Sequence, residues 1–206
     1  MMRVWSTVLV YGVAFLSGAV LLGMEIVASR VLAPWFGNSV YVWGSLISVF
    51  LLALSLGYWL GGLLADRRPS LRTLAAVLAA AAAFTLPLPF VYLPVSRLIV
   101  ALELEFRFSV LLACLLFFLA PAVLMGMVSP FVIKLSATGL DVIGRTAGNV
   151  YAVSTVGSIT GALVVSFFLI PTLGTRAIVF VSGCTLLALA GVCLLGARAM
   201  AARSRA

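Results

Sequence analysis

Apolar residues fall in six long runs separated by short polar breaks. The runs cover about residues 5–29, 41–64, 74–95, 108–135, 147–170 and 176–195. Each is close to or above the roughly 20 residues that a membrane-crossing helix needs. The pattern predicts one all-α transmembrane domain over residues 1–206, a six-helix bundle embedded in a lipid bilayer. The breaks are legible too. "RVLAPWFGNS", from Arg30 to Ser39, reads as a loop, and "GGLLADRRPS" closes the second run. Pro87, Pro89 and Pro94 interrupt the end of the third run, and a charged connection with Arg97, Glu103, Glu105 and Arg107 follows. Pro121 and Pro130 lie inside the fourth run. Each removes a backbone donor, which predicts a bent helix able to rock. Pro171 and Gly174 mark the turn before the last run.

Composition sharpens this picture. Hydrophobic residues make up 65% of the 206-residue chain and charged residues 9%, against about 45–50% and about 25% in soluble domains. One soluble core of this size could not cover so much apolar surface. An ordinary cytoplasmic enzyme, a disordered tail and a small secreted scaffold are thereby excluded. The formal net charge is +8. The basic residues sit between apolar runs rather than among aromatics, so they speak for orientation in the bilayer and against a nucleic-acid partner. With the N-terminus inside, the inner segments carry nine basic residues: Arg3, Arg67, Arg68, Arg72, Lys134, Arg145, Arg198, Arg203 and Arg205. The outer segments carry four: Arg30, Arg97, Arg107 and Arg176. Both termini are therefore expected in the cytoplasm. The first run lacks an Ala-x-Ala cleavage region and is read as a retained helix.

Little catalytic chemistry is on offer. Cys114, Cys184 and Cys193 lie inside apolar runs and read as small buried hydrophobes, and the chain has no histidine. No zinc or haem site, and no cofactor, is expected. There is no Cys–His pair and no close carboxylate pair within a run, so the chain is not expected to act as an enzyme alone.

Small and polar residues carry the remaining signal. Ala14, Gly18 and Glu25 share one face of the first helix, and Gly57–Gly61 and Gly157–Gly161 are further small pairs four apart. Such pairs let helix backbones approach, within the bundle or at a homodimer seam. About 20 residues at 1.5 Å each place Glu25 near the outer rim. Arg30 and Arg107 are its expected partners at that depth, either as an ion-pair lock or as a substrate or proton site. Gly44, Ser48, Ser55 and Gly62 form a stripe on the second helix, and Tyr151, Ser154, Ser158 and Gly161 form one on the fifth. Either stripe would line an aqueous pathway or serve interhelical contact. Asn149 would bond across helices or cap the fifth helix.

"GGLLADRRPS" resembles the loop signature between the second and third helices of major facilitator transporters. Gly62, Asp66, Arg67 and Arg68 match its start, while Pro69 stands where a later glycine is expected. Asp66 would latch the inner side by accepting bonds from a helix terminus or an arginine, or else sit in a solvated turn. A broader resemblance covers nearly the whole chain. "GAVLLGMEIVASRVLAPWFGNSVYVWG", "LLALSLGYWLGGLLADRRP", "LMGMVSPFVIKL" and "GRTAGNVYAVSTVGSITGALVVSFFLIPTLGTR" resemble the membrane region fused to bacterial spermidine synthase-like proteins. Glu25, Arg30, Pro34, Gly37, Tyr58, Gly62, Asp66, Pro130, Gly148, Tyr151, Gly157 and Gly161 fall on its patterned positions. The sequence carries no glycine-rich nucleotide pocket of the synthase kind, so no synthase activity is carried over. A stand-alone membrane member and a piece of a longer protein both fit.

The resemblance implies residence in the bacterial cytoplasmic membrane and half of a major-facilitator-like fold. A half lacks its opposing wall. The leading expectation is a half-size transporter working as a homodimer, or with a second membrane half, on a polyamine or related small cation. Glu25, Arg30, Arg107, Ser48, Ser55, Tyr58, Asn149, Tyr151, Ser154 and Ser158 are the candidate substrate or proton contacts. Asp66, Arg67, Pro121 and Pro130 are the candidate gating residues. The second expectation is a non-transporting membrane scaffold for a separately encoded soluble synthase. The orientation is open to a direct check. In a cysteine-free background, single cysteines at Ser39 and Glu103 label with a membrane-impermeant reagent added outside, and one at Ser70 does not; the reverse pattern would overturn the orientation.

Overall fold

The computed structural model describes residues 2–137 and 139–203, without the side chains of residues 2–6, 140 and 203. Arg205 lies outside the described residues, as do the side chains of Arg3 and Arg203. The described chain is helical nearly throughout. We label the elements α1 (Met2–Phe36), α2 (Val40–Arg67), α3 (Leu71–Thr85), α4 (Leu88–Ala101), α5 (Phe106–Ser136), α6 (Ile143–Thr172) and α7 (Thr175–Arg203). Five are long and apolar enough to cross a membrane, and the α3–α4 pair makes a sixth crossing if it counts as one bent span. The chain is thus a multi-pass helical membrane protein.

Helix ends follow local chemistry. α1 does not stop at Ser29 as the pattern predicts; it continues through Pro34 to Phe36, and only Gly37, at φ 66°, ends it. A left-handed residue after a helix is a glycine's place. The amide of Gly37 donates to the Ala33 carbonyl at 2.9 Å. α2 ends before Pro69, whose ring disfavours helical geometry at Arg68. Ser70 then caps α3, accepting a bond from the Thr73 amide at 3.1 Å. The third run is a helix broken by a 52° bend between Thr85 and Leu88, with Pro87 in the break and Pro89 in the first turn beyond it. Arg97, expected in a loop, lies within α4.

The prolines of α5 are accommodated by breaks in helical register. A π turn at Leu115–Leu119 precedes Pro121, and a turn at Met127 precedes Pro130. α6 repeats the first device, with a π turn at Val165–Leu169 before Pro171. Both π turns lie on the same short pattern, Phe-Phe-Leu-x-Pro, at Phe117–Pro121 and Phe167–Pro171. Proline lacks the amide that an α-turn would use, and a wider turn relieves the mismatch.

Packing is paired. α1 lies along α6, α3 along α7, and α2 along α5. Val13, Met24, Val27 and Leu32 of α1 are fully buried with Leu46 of α2, Leu74 and Leu78 of α3, Phe131 of α5, and Ile178 and Leu186 of α7. Glycines set two of the seams. A Cβ on Gly157 or Gly161 would run into the backbone of Phe15 or Ala19 of α1, and one on Gly61 would meet the Met127 backbone of α5. Small-residue pairs on α2 and α6 are therefore used inside the chain. α6 is the least covered span: 17% of its most apolar stretch is buried, against 50% in α5. Cys114 and Cys193 are buried as expected, but Cys184 is exposed, because it points away from the α3 and α1 faces of α7. The α1–α6 seam predicts that Gly161→Ala destabilises the protein by about 1–3 kcal/mol, the usual range for overpacking. Gly148→Ala, where an added Cβ meets nothing, leaves stability unchanged or slightly higher. Thermal unfolding in one detergent checks both.

Candidate functional site

Four helices enclose a cleft of about 130 Å³ around Glu25. α1 contributes Ser17, Gly18 and Glu25, and α2 contributes Leu54 and Tyr58. Met125, Gly126 and Ser129 of α5 form the floor, and Tyr151, Ser154, Thr155 and Ser158 of α6 form the far wall. The glycine seams explain why these walls stand so close. Gly18 sits against Ser154 and Ser158, and the Ser158 hydroxyl donates to the Gly18 carbonyl at 3.1 Å. Gly57 and Gly126 bring α2 onto α5 below Tyr58. Tyr58 and Tyr151 meet edge-to-face across the cleft, ring centres 6.4 Å apart.

Glu25 is half-buried, and its carboxylate has no hydrogen-bond or ion-pair partner among the described residues. This corrects the predicted pairing with Arg30 or Arg107. Arg30 follows Glu25 by five residues, which turns it about 140° around the helix. It is exposed and lines a different recess. Arg107 pairs with Glu105 at 2.6 Å on the exposed surface and lies over the Phe108 ring. α1 runs on to Phe36, so Glu25 lies about 16 Å from that helix end.

Tyr58, Tyr151, Ser154 and Ser158 gather with Glu25 as predicted. Ser48 and Ser55 do not: both are exposed, on the side of α2 turned away from α5. The stripe through Gly44 and Gly62 meets no neighbouring helix. Asn149 is exposed and makes no side-chain hydrogen bond among the described residues, so it neither bridges helices nor caps α6, which starts at Ile143. Ser17, Ser129 and Thr155 are cleft residues that the sequence reading missed. Ser17 and Thr155 sit one position before and after Gly18 and Ser154, about 100° around the helix from them.

At the end of the bundle that carries Arg67, Asp66 accepts a bond from Lys134 at 2.6 Å, tying the end of α2 to the end of α5. The expected arginine or helix terminus is thus replaced by a lysine, and Arg67 is exposed without a partner among the described residues. Pro121 is buried and Pro130 half-buried in α5, and neither lines the cleft.

An uncompensated carboxylate out of bulk water is costly, so this cleft calls for a cation, a proton or water. The volume holds several waters or one short alkyl-ammonium. Hydroxyls would accept from an ammonium, and tyrosine faces attract cations. No cluster of three metal-ligating side chains occurs among the described residues. The chain matches no family model, no curated protein and no solved structure. The likeness to the synthase-linked membrane region rests on the sequence motifs alone. For the Asp66–Lys134 pair, both side chains are about half or more exposed. A double-mutant cycle with Asp66→Asn and Lys134→Gln is expected to give a coupling of about 0.2–1 kcal/mol that shrinks with added salt. Unfolding at low and high ionic strength measures it.

Proposed function

We propose that this chain is one half of a membrane transporter for small organic cations, working as a homodimer in the bacterial cytoplasmic membrane with both termini inside. The observation that carries the reading is the unpaired Glu25 carboxylate in a cleft lined by hydroxyls and two tyrosines. The thin coverage of α6 and the exposed face of α2 support a second copy seated against that side. Tyr58, Tyr151 and Thr155, all exposed within one chain, would then be enclosed. A linear polyamine is the cargo the motif resemblance favours. One cleft would hold a single ammonium, and the copy opposite would hold the next. In this reading six helices cross the bilayer, as in half of a major facilitator fold, and the Asp66–Lys134 pair closes the inner end.

Labelled polyamine uptake into proteoliposomes tests this. Glu25→Gln keeps shape and hydrogen bonding but removes the charge. It is expected to cut uptake at least about tenfold, the loss from one charge-assisted contact. Its melting temperature is expected to change little, because no arginine is left unmatched. A detergent-corrected mass of two chains per particle is expected alongside. Wild-type uptake by Glu25→Gln, or a strict monomer in lipid discs that still transports, would overturn the proposal. A monomer without transport that retains a soluble synthase would move the balance to the scaffold reading.

A further inference from the structure

The geometry points to a second, separate site: a recess around Arg30 that binds the phosphate group of an anionic phospholipid. The recess has a volume of about 290 Å³ and shares no lining residue with the Glu25 cleft. It lies at the bundle end opposite the Asp66–Lys134 pair, where α1, the start of α2 and the end of α6 meet. Arg30, Asn38 and Ser166 supply its polar wall, and Ile26 and Ile170 its apolar base.

Three observations converge on a phosphate ligand. First, the Arg30 guanidinium is exposed and has no ion-pair, hydrogen-bond or ring partner among the described residues. Arg107, at the same end, pairs with Glu105 and Phe108, and Arg176 with Tyr92. Arg97 is also without a partner among the described residues, but of these two free guanidiniums only that of Arg30 lines the recess. Its planar fork suits a phosphate better than a point charge does. Second, further donors stand idle beside it. The side chains of Asn38 and Ser166 make no hydrogen bond among the described residues, and the hydroxyl of Ser39, next in the chain, is buried without a partner. Ser166 is carried on the π turn, which displaces it from the regular face of α6. Third, the surroundings are those of a membrane interface. Tyr41 and Trp43 are exposed at the start of α2, and Phe167 and Phe168 are exposed beside Ser166. Amphipathic rings settle at headgroup depth. The anions abundant at that depth are lipid phosphates, which a guanidinium can hold with two parallel hydrogen bonds. The phosphate sits on Arg30, and the acyl chains run down over Phe167 and Phe168.

The test uses purified full chain in detergent, with phosphatidylglycerol added and bound lipid counted by native mass spectrometry. The wild type is expected to retain phosphatidylglycerol, and Arg30→Gln to bind it about tenfold more weakly. Arg30→Lys is expected to recover part of the loss, and Arg107→Gln, at the same end, to bind as the wild type. Equal weakening in Arg30→Gln and Arg107→Gln would reduce the effect to surface charge and overturn the proposal. Inorganic phosphate that protects the wild type against heat as strongly as the lipid does would overturn the lipid as the source. Should Arg30→Gln fail to fold, competition by phosphatidylcholine decides on the wild type: equal retention of both lipids overturns the site. None of these readouts depends on Glu25 or on transport.

Discussion

The backbone contact between α1 and α6 governs the rest of the molecule. Gly157 and Gly161 lie directly on the carbonyl side of Phe15 and Ala19, and Gly18 lies on Ser154. No side chain separates the helices there, so the Ser158 hydroxyl reaches the Gly18 carbonyl across the seam. In lipid, where helices gain nothing by merely hiding from water, such close van der Waals contact is a main source of association. It also fixes the rotation of α1. With Gly18 pinned, Glu25, seven residues on, must look the same way, toward α6 and α2.

That rotation accounts for an otherwise unfavourable arrangement. A carboxylate in a membrane helix is tolerated when it faces the bundle interior or a polar cavity. Here the cavity supplies hydroxyls and tyrosines but no counter-charge, while the two ion pairs among the described residues sit on exposed surface elsewhere. Positive charge is kept away from Glu25 by helix geometry, and the cleft is left with an unspent preference for a cation. The Arg30 recess, about one and a half turns along α1, would have the opposite preference. The two share no lining residue.

Much of this was readable in the residues. The runs of apolar residues located the helices, although α1 runs seven residues past its expected end and the third run is two helices reaching Ala101, and the spacing of Ala14, Gly18 and Glu25 marked the face that lines the cleft. The glycine pairs marked the seams. Tyr151, Ser154 and Ser158 followed from polar spacing on the fifth run, and Tyr58 from the motif resemblance. What failed did so for identifiable reasons. Pro34 read as a loop signal, but the helix runs past it, so Arg30 is held on the helix about 140° away from Glu25. Ser48 and Ser55 have the same small-polar character as the cleft serines, and spacing alone does not say which side of α2 meets α5. The paired Phe-Phe-Leu-x-Pro segments were the overlooked signal. A proline two residues past an apolar run announces a widened turn, and with it the displacement of Ser166.

The Ser158–Gly18 bond joins residues 140 apart in sequence. During synthesis at roughly 5–20 residues per second, about 7–30 s separate the two partners. For that interval α1 is already in the membrane with Glu25 and has no α6 to lie against. The carboxylate's wall is the work of a late-arriving helix. The nascent protein therefore passes through a stage in which its most polar intramembrane group depends on α2, on α5, or on the insertion machinery for shelter. Order of assembly, and not only the finished bundle, constrains where an acidic residue can be tolerated along such a chain.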